Sequence, residues 1–314
     1  MYILIIAIAI VLGIIAGAAY LFISTIPKSE NSRTAAKMSG GSWDKHRELL
    51  NESRKWLDSA ACEYISIKSF DNLKLSGYYY PSDNNNGCLV MAFNGYRSES
   101  RGQYSHITRY LNSLGFDVVL IDDRAHGSSE GRYVGFGVLD RLDCQKWVEF
   151  INEKLNNSRK IYLYGVSMGA ATVLMASGLD LPKEVRGVIA DCGFTTPYDV
   201  FKHVLNKSYH MLAFPLLNIS NLFCRAFAKY DFKGASACEA VKKSTLPLLV
   251  IHGEKDTFVP AYMGPEIYEA SNSEYKKLLM VKDAYHAESY FIDMDNYRKT
   301  MIEFINNTKE RQGE

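Results

Sequence analysis

The 314 residues contain no tract of clustered basic side chains, no CxxC or CxxH pair and no internal repeat. The first absence removes the electrostatic footprint of a nucleic-acid surface. The 36 Lys and Arg stand against 35 Asp and Glu, are spread along the chain, and leave a net charge of +1. The second removes metal-ligand spacing of the zinc type. The third removes solenoid and propeller architectures. Six cysteines, Cys62, Cys88, Cys144, Cys192, Cys224 and Cys238, are scattered. Cys88 and Cys192 sit in or beside apolar runs, so free buried thiols are expected rather than disulfides.

Charge is also missing from residues 1–27. The run Met1 to Ile26 is dominated by Ile, Leu, Ala and Val, shows no polar face, and is long enough to cross a hydrocarbon core of about 30 Å. Tyr2 and Tyr20 are placed to sit toward the interfaces. Ala16-Gly17-Ala18 resembles a signal-peptide cleavage site, but no Lys or Arg precedes the run and the apolar pattern continues to Ile23. An uncleaved transmembrane anchor over residues 1–27 is the expectation. Lys28, Arg33 and Lys37 follow it and favour a cytoplasmic side by the positive-inside rule. Export-type anchors leave the following domain outside, and an extracytoplasmic domain is the expectation adopted.

Residues 28–42, rich in Ser, Gly, Lys and Asn, read as a linker. The remainder, 43–314, suits one large α/β domain. Trp43 to Leu57 reads as an amphipathic helix. Glu63 to Ser69 and Leu73 to Tyr80 read as paired strands. Apolar strands follow at 89–93, 116–121, 160–164, 185–190, 246–251 and 277–281. Helical stretches at 104–114, 139–155 and 168–177 alternate with them, and another at 288–306 closes the chain. Such alternation indicates a mostly parallel sheet covered on both faces. The stretch from about 195 to 236 breaks the pattern and reads as a small helical cap, whose Phe, Leu and Met content is expected to shape an apolar pocket.

The strongest motif is Gly165-Val166-Ser167-Met168-Gly169. A strand runs into it and an Ala-rich helix runs out, the setting of the α/β-hydrolase nucleophile elbow. That turn holds a serine at a strand's C-terminal end, beside a helix N-terminus that favours an oxyanion. Serine is a poor nucleophile at neutral pH and needs a base within hydrogen-bond reach, itself oriented by an acid. The order on that fold is Ser, then acid, then His. Asp256, in the loop after the strand at 246–251, stands at the typical acid position, with Glu254 as its rival two residues away. His286, after the last strand, is the candidate base. His252 precedes a glycine turn and reads as structural. The N–H groups of Met168 and Tyr96, the latter in the loop Asn94-Gly95-Tyr96-Arg97, are the candidate oxyanion donors.

Taken together, residues 60–305 resemble the bacterial α/β-hydrolases related to serine aminopeptidases and Bem46-like esterases. The resemblance rests on the elbow and on Asp122-Asp123-Arg124-Ala125-His126-Gly127-Ser128-Ser129-Glu130-Gly131. It rests also on Ala190-Asp191-Cys192-Gly193-Phe194, on His252 to Pro260, and on Ala284-Tyr285-His286. It implies hydrolysis of carboxyl esters or amides with no metal or organic cofactor, and a scaffold role for Arg124 and His126. Where the family usually has His-Gly, this chain has Asn94-Gly95. The expected activity is a serine hydrolase acting on a small-molecule or lipid-like acyl substrate. Peptidase, thioesterase or acyltransferase action would use the same three groups. A membrane-tethered binding protein is the non-enzymatic alternative.

Overall fold

The computed structural model describes residues 1–29 and 43–309. The linker expected over 28–42 lies, beyond Ser29, outside the described residues. Eight strands form one sheet in the order β1-β2-β4-β3-β5-β6-β7-β8. β1 (Glu63–Lys68) and β2 (Lys74–Tyr80) make an antiparallel hairpin, and β2 pairs antiparallel with β4 (Asp117–Asp122). From β4 onward all pairs are parallel, through β3 (Cys88–Phe93), β5 (Lys160–Val166), β6 (Val185–Asp191), β7 (Leu248–Gly253) and β8 (Lys276–Val281). This is the mostly parallel α/β fold expected from the alternation of apolar strands and helices.

Side chains alternate across each strand, so the central strands feed two cores. Leu89, Met91 and Phe93 of β3 face one core, with Trp147, Val148 and Ile151 of α4 (Asp140–Lys154) and Val173 and Leu174 of α5 (Met168–Ala176). Val90 and Ala92 face the other, with Tyr104, Ile107 and Leu111 of α3 (Ser100–Ser113) and Tyr297, Met301 and Phe304 of α11 (Met294–Lys309). The amphipathic helix ahead of β1 is α2 (Arg47–Ser59), entered through a 3₁₀ turn at 43–46. The closing helix expected over 288–306 is split into a single turn, α10 (Ser289–Ile292), and α11, with the break at Asp293.

The stretch at 195–236 carries α6 (Pro197–Lys207) and α7 (Leu216–Phe223), followed by a π turn at 224–228. Thr196 caps α6 by accepting from the Asp199 N–H, with Pro197 at the first helical position. α8 (Ala237–Lys243) and α9 (Met263–Ala270) complete the helices. Among the described residues the six cysteines are unbridged. Cys88, Cys144, Cys192 and Cys224 are buried, Cys238 is half-buried, and Cys62 is exposed, which departs from the expectation of burial.

α1 (Tyr2–Thr25) is long and apolar enough to cross a membrane. Its first half is exposed, but Ala18 is buried and Phe22 and Ile26, just beyond the helix, are buried in a cluster with cap residues. The Phe22 ring lies 5.9 Å from Tyr133 and 6.4 Å from Phe223. Beyond the helix, Lys28 N donates to Arg132 O and Val134 N donates to Ile26 O. The N-terminal segment therefore joins the domain through packed side chains and backbone bonds at its C-terminal end.

Candidate active site

Ser167 sits between the last residue of β5 and the first of α5, with φ 59° and ψ −116°. A β-carbon carrying a side chain is disfavoured in that region, and the surrounding structure must impose it. The two flanking glycines make it possible. A Cβ on Gly169 would lie 1.8 Å from Phe93 O, and one on Gly165 would lie 2.2 Å from the carbonyl of Gly169. Ser167 N donates to Asp191 O of the adjacent strand at 2.8 Å, which fixes the turn against the sheet.

The three residues expected to cooperate come together at the C-terminal ends of β5, β7 and β8. His286 Nε2 is 2.8 Å from Ser167 Oγ, and His286 Nδ1 is 2.7 Å from Asp256 Oδ2. All three are buried. The second carboxylate oxygen, Asp256 Oδ1, accepts from Phe258 N at 3.0 Å and Val259 N at 2.9 Å. Burial alone would raise the Asp256 carboxyl, but the His286 and His252 imidazoles outweigh it and hold the group well below the usual carboxylate range. Glu254, its rival in the sequence, is exposed.

His252 turns out to be fully buried, with Nε2 3.0 Å from Val259 O and 3.4 Å from Asp256 Oδ2. It steadies the same loop that presents Asp256. Cys192 Sγ lies within 4.8 Å of donor atoms of Asp256 and His286. Those two side chains already bind each other, and burial keeps the Cys192 thiol protonated by pushing its pKa far up. The trio is poorly suited to hold a metal ion.

The loop after β3 is fastened from several sides. Asn94 Nδ2 donates to Gly95 O at 2.8 Å and Ser98 O at 3.1 Å, while Asn94 Oδ1 accepts from Asp123 N at 2.8 Å. Gly95 N donates to Gln103 Oε1 at 2.8 Å. Arg97 N donates to His126 Nε2 at 3.0 Å, and His126 Nδ1 is 2.9 Å from Arg124 O. Burial lowers the His126 pKa to about 4, so the neutral ring carries its proton on Nδ1 and accepts at Nε2. Arg124 is in turn clamped by Asp143, at 2.6 and 2.9 Å, and by Asp71, at 3.1 Å on both arms. The Asp-x-Arg-x-His-Gly segment thus braces the loop that carries the Tyr96 N–H. Tyr96 Oη donates to Thr25 O at 2.8 Å and Arg97 Nη2 donates to Ser24 O, so the same loop caps the last carbonyls of α1.

A cavity of about 360 Å³ opens on Ser167 and His286. Its apolar wall comes from Leu50, Tyr104, Val166, Phe258, Tyr290 and Phe291, with polar atoms of Gln103, Glu99 and Asp191. None of its described lining residues comes from 195–236. The expectation that the cap shapes the pocket is therefore corrected: α2, α3, the loop after β3 and α10 shape it. The cap instead spends its apolar side chains on α1 and on a cluster with Phe136, Phe194 and Met168. Sequence reasoning did not single out Tyr104, Gln103, Tyr290 or Phe291, whose helical spacing carries no mark of a cavity wall.

The comparisons with known proteins agree with this architecture. A family model described as "Serine aminopeptidase, S33" matches residues 85–213. A solved esterase of Pyrococcus furiosus, Pf2001, superposes with a TM-score of 0.65 over 84% of this chain and 94% of its own, at 22% identity. The chain has the α/β-hydrolase fold. It is 28% identical to the YqkD protein of Bacillus subtilis over 260 residues, 82% of its own length and 83% of that relative. It is also 28% identical over 164 residues to the lysophosphatidylserine lipase ABHD12 of Danio rerio, covering 51% of this chain and 41% of that one.

Proposed function

We propose that the protein cleaves carboxylic esters through an acyl-enzyme intermediate on Ser167. The observation that carries this reading is the position of His286, bonded through one ring nitrogen to Ser167 Oγ and through the other to Asp256. His286 removes the hydroxyl proton as Oγ attacks the carbonyl, then delivers that proton to the departing alcohol. Asp256 stabilises the transient imidazolium. The N–H groups of Met168 and Tyr96 receive the developing oxyanion, each worth about 3 kcal/mol. Water activated by His286 releases the acid and restores the serine.

An ester is favoured over a peptide with a free amino terminus. Of the two carboxylates among the cavity's described lining residues, Glu99 pairs with Arg54 at 2.6 Å, and Asp191 is buried and accepts from Tyr297 Oη at 3.2 Å. The aromatic wall suits an apolar acyl chain, and the similarity to a lysophosphatidylserine lipase points the same way. A fluorophosphonate probe is expected to label the wild type and to fail on Ser167→Ala. Equal labelling of the two proteins would overturn the reading. Turnover of p-nitrophenyl esters is expected to rise with acyl length until the cavity is filled, and a flat series would remove the apolar pocket from it.

α1 is the membrane anchor in this proposal, retained in the mature protein, with the catalytic domain extracytoplasmic. The burial of Ala18 and Phe22 in the domain supports retention. Protease added to intact cells is expected to degrade the domain, and protection would place it in the cytoplasm.

A further inference from the structure

The cap leaves large apolar side chains in the open, beside α1. Leu212 is 83% exposed, Phe214 74%, Leu222 58% and Phe227 57%. Tyr209 and Met211 are exposed as well. Isolated exposed apolar residues are ordinary, but several of them in one short stretch of chain beside an apolar helix point to a contact surface. Phe227 lies 5.9 Å from Phe22, and Ile23 and Tyr20 of α1 remain exposed on the same element, so the patch continues onto the anchor.

The geometry of α1 identifies what covers this patch. Gly13 of α1 stands in open space, whereas at Gly17 an added Cβ would stand 3.1 Å from Leu216 Cδ1 of the cap. Residues 2–16, ahead of that contact, supply at most about 22 Å of helix at 1.5 Å per residue. A bilayer's hydrocarbon core is about 30 Å thick. The docked turns must therefore lie within the membrane, together with whatever is packed on them. α7 runs in the same direction as α1, with Leu216 beside Gly17 and Phe223 beside Phe22. Its N-terminal end points toward the bilayer interior, and the segment 209–214 lies immediately ahead of that end. Lys207 precedes the 209–214 segment, Arg225 lies in the π turn 3.7 Å from Asp231, and Lys229 follows that turn; all three are exposed, and such long stems can lie along apolar surface while their charges reach lipid phosphates.

We propose that the 209–214 segment and the outer face of α7 and the π turn insert into the leaflet in which α1 ends, with the bilayer's acyl chains as the occupant of this surface. The proposal rests on the anchor reading of α1. It gives the domain a fixed seat on the membrane rather than a free tether. The loop that carries the Tyr96 N–H is bonded to the last carbonyls of α1, so the site itself is held at the lipid–water boundary.

The test uses the full-length chain with Cys62→Ser and Cys238→Ser, which remove the exposed and half-buried thiols. Single cysteines are introduced by Leu212→Cys, Phe214→Cys, Ile8→Cys and Asn84→Cys, labelled with an environment-sensitive fluorophore, and reconstituted in phosphatidylcholine vesicles. Lipids brominated along their acyl chains serve as quenchers. Labels at 212 and 214 are expected to be quenched at least about twofold, as at 8, with the label at 84 unaffected. Quenching at 8 without quenching at 212 and 214 would overturn the insertion of the cap while leaving the anchor in place. Absence of quenching at all four positions would overturn the anchor and the insertion together.

Discussion

At the scale of single residues, the site depends on which carboxylate faces His286. Asp256 is buried, accepts two backbone N–H bonds and touches the imidazole, whereas Glu254 points to solvent. Asp256→Asn keeps the shape but leaves the ring without its negative partner and favours the wrong tautomer. A fall in kcat of about 10⁴-fold is expected, with Glu254→Gln close to wild type. Steady-state kinetics on a soluble ester would check both, and a reversed order would exchange the roles. The candidate nucleophile, acid and base were legible because each follows a recognisable strand and because their order is fixed by the fold. Asn94 was legible only as a departure from the family. Its role in locking the loop came from three bonds whose partners lie up to 29 residues away.

At the scale of elements, the strand–turn–helix from β5 to α5 is the most demanding piece of backbone. A methyl group on Gly169 would collide with the β3 carbonyl of Phe93, which is backbone and has no flexible end to give way. Gly169→Ala is expected to destabilise the fold by more than about 4 kcal/mol and to yield little folded protein, measured by recovery from the soluble or detergent-extracted fraction. Normal yield and melting would contradict this account of the elbow. The helices that escaped sequence reading, α8 and α9, are short. Ser236 and Glu239 carry a capping signature for α8, and the Ser236 side chain does accept from the Glu239 N–H. Gly264 and Pro265 in the first turn of α9 mask a helix whose stability comes from packing on β7 and β8.

At the scale of the whole molecule, buried histidines couple the fold to pH. His106 packs against the Tyr290 and Phe291 rings at 4.4 and 4.6 Å, and burial, reinforced by Arg298 and His46, lowers its pKa to about 3. The unfolded chain, with an imidazole near 6.5, takes up this proton first as pH falls. The stability contributed by neutral His106 is therefore complete above about pH 6.5 and is lost progressively toward pH 3. His106→Phe preserves the ring packing and removes the titration. The variant is expected to lose less stability than wild type between pH 6.5 and 4, by about 1.4 kcal/mol per pH unit. Denaturant unfolding at several pH values would measure it, and parallel curves would show that His106 does not titrate on unfolding.

The sequence by itself determined the α/β class, the sheet's apolar strands, the elbow at Ser167 and an N-terminal run able to cross a membrane. All of these are local: periodicity, turn chemistry and uninterrupted hydrophobicity are carried by neighbouring residues. Only the tertiary structure decided where the cavity lies and what the cap is for. The sequence offered the apolar residues of 195–236 as a pocket wall, since composition cannot say which surface they cover. In the folded chain some of them cover α1 and others stay exposed beside it, and the wall around Ser167 is assembled from α2, α3, the loop after β3 and α10. That choice depends on which elements meet at the C-terminal edge of the sheet, a matter of long-range packing that no local pattern encodes.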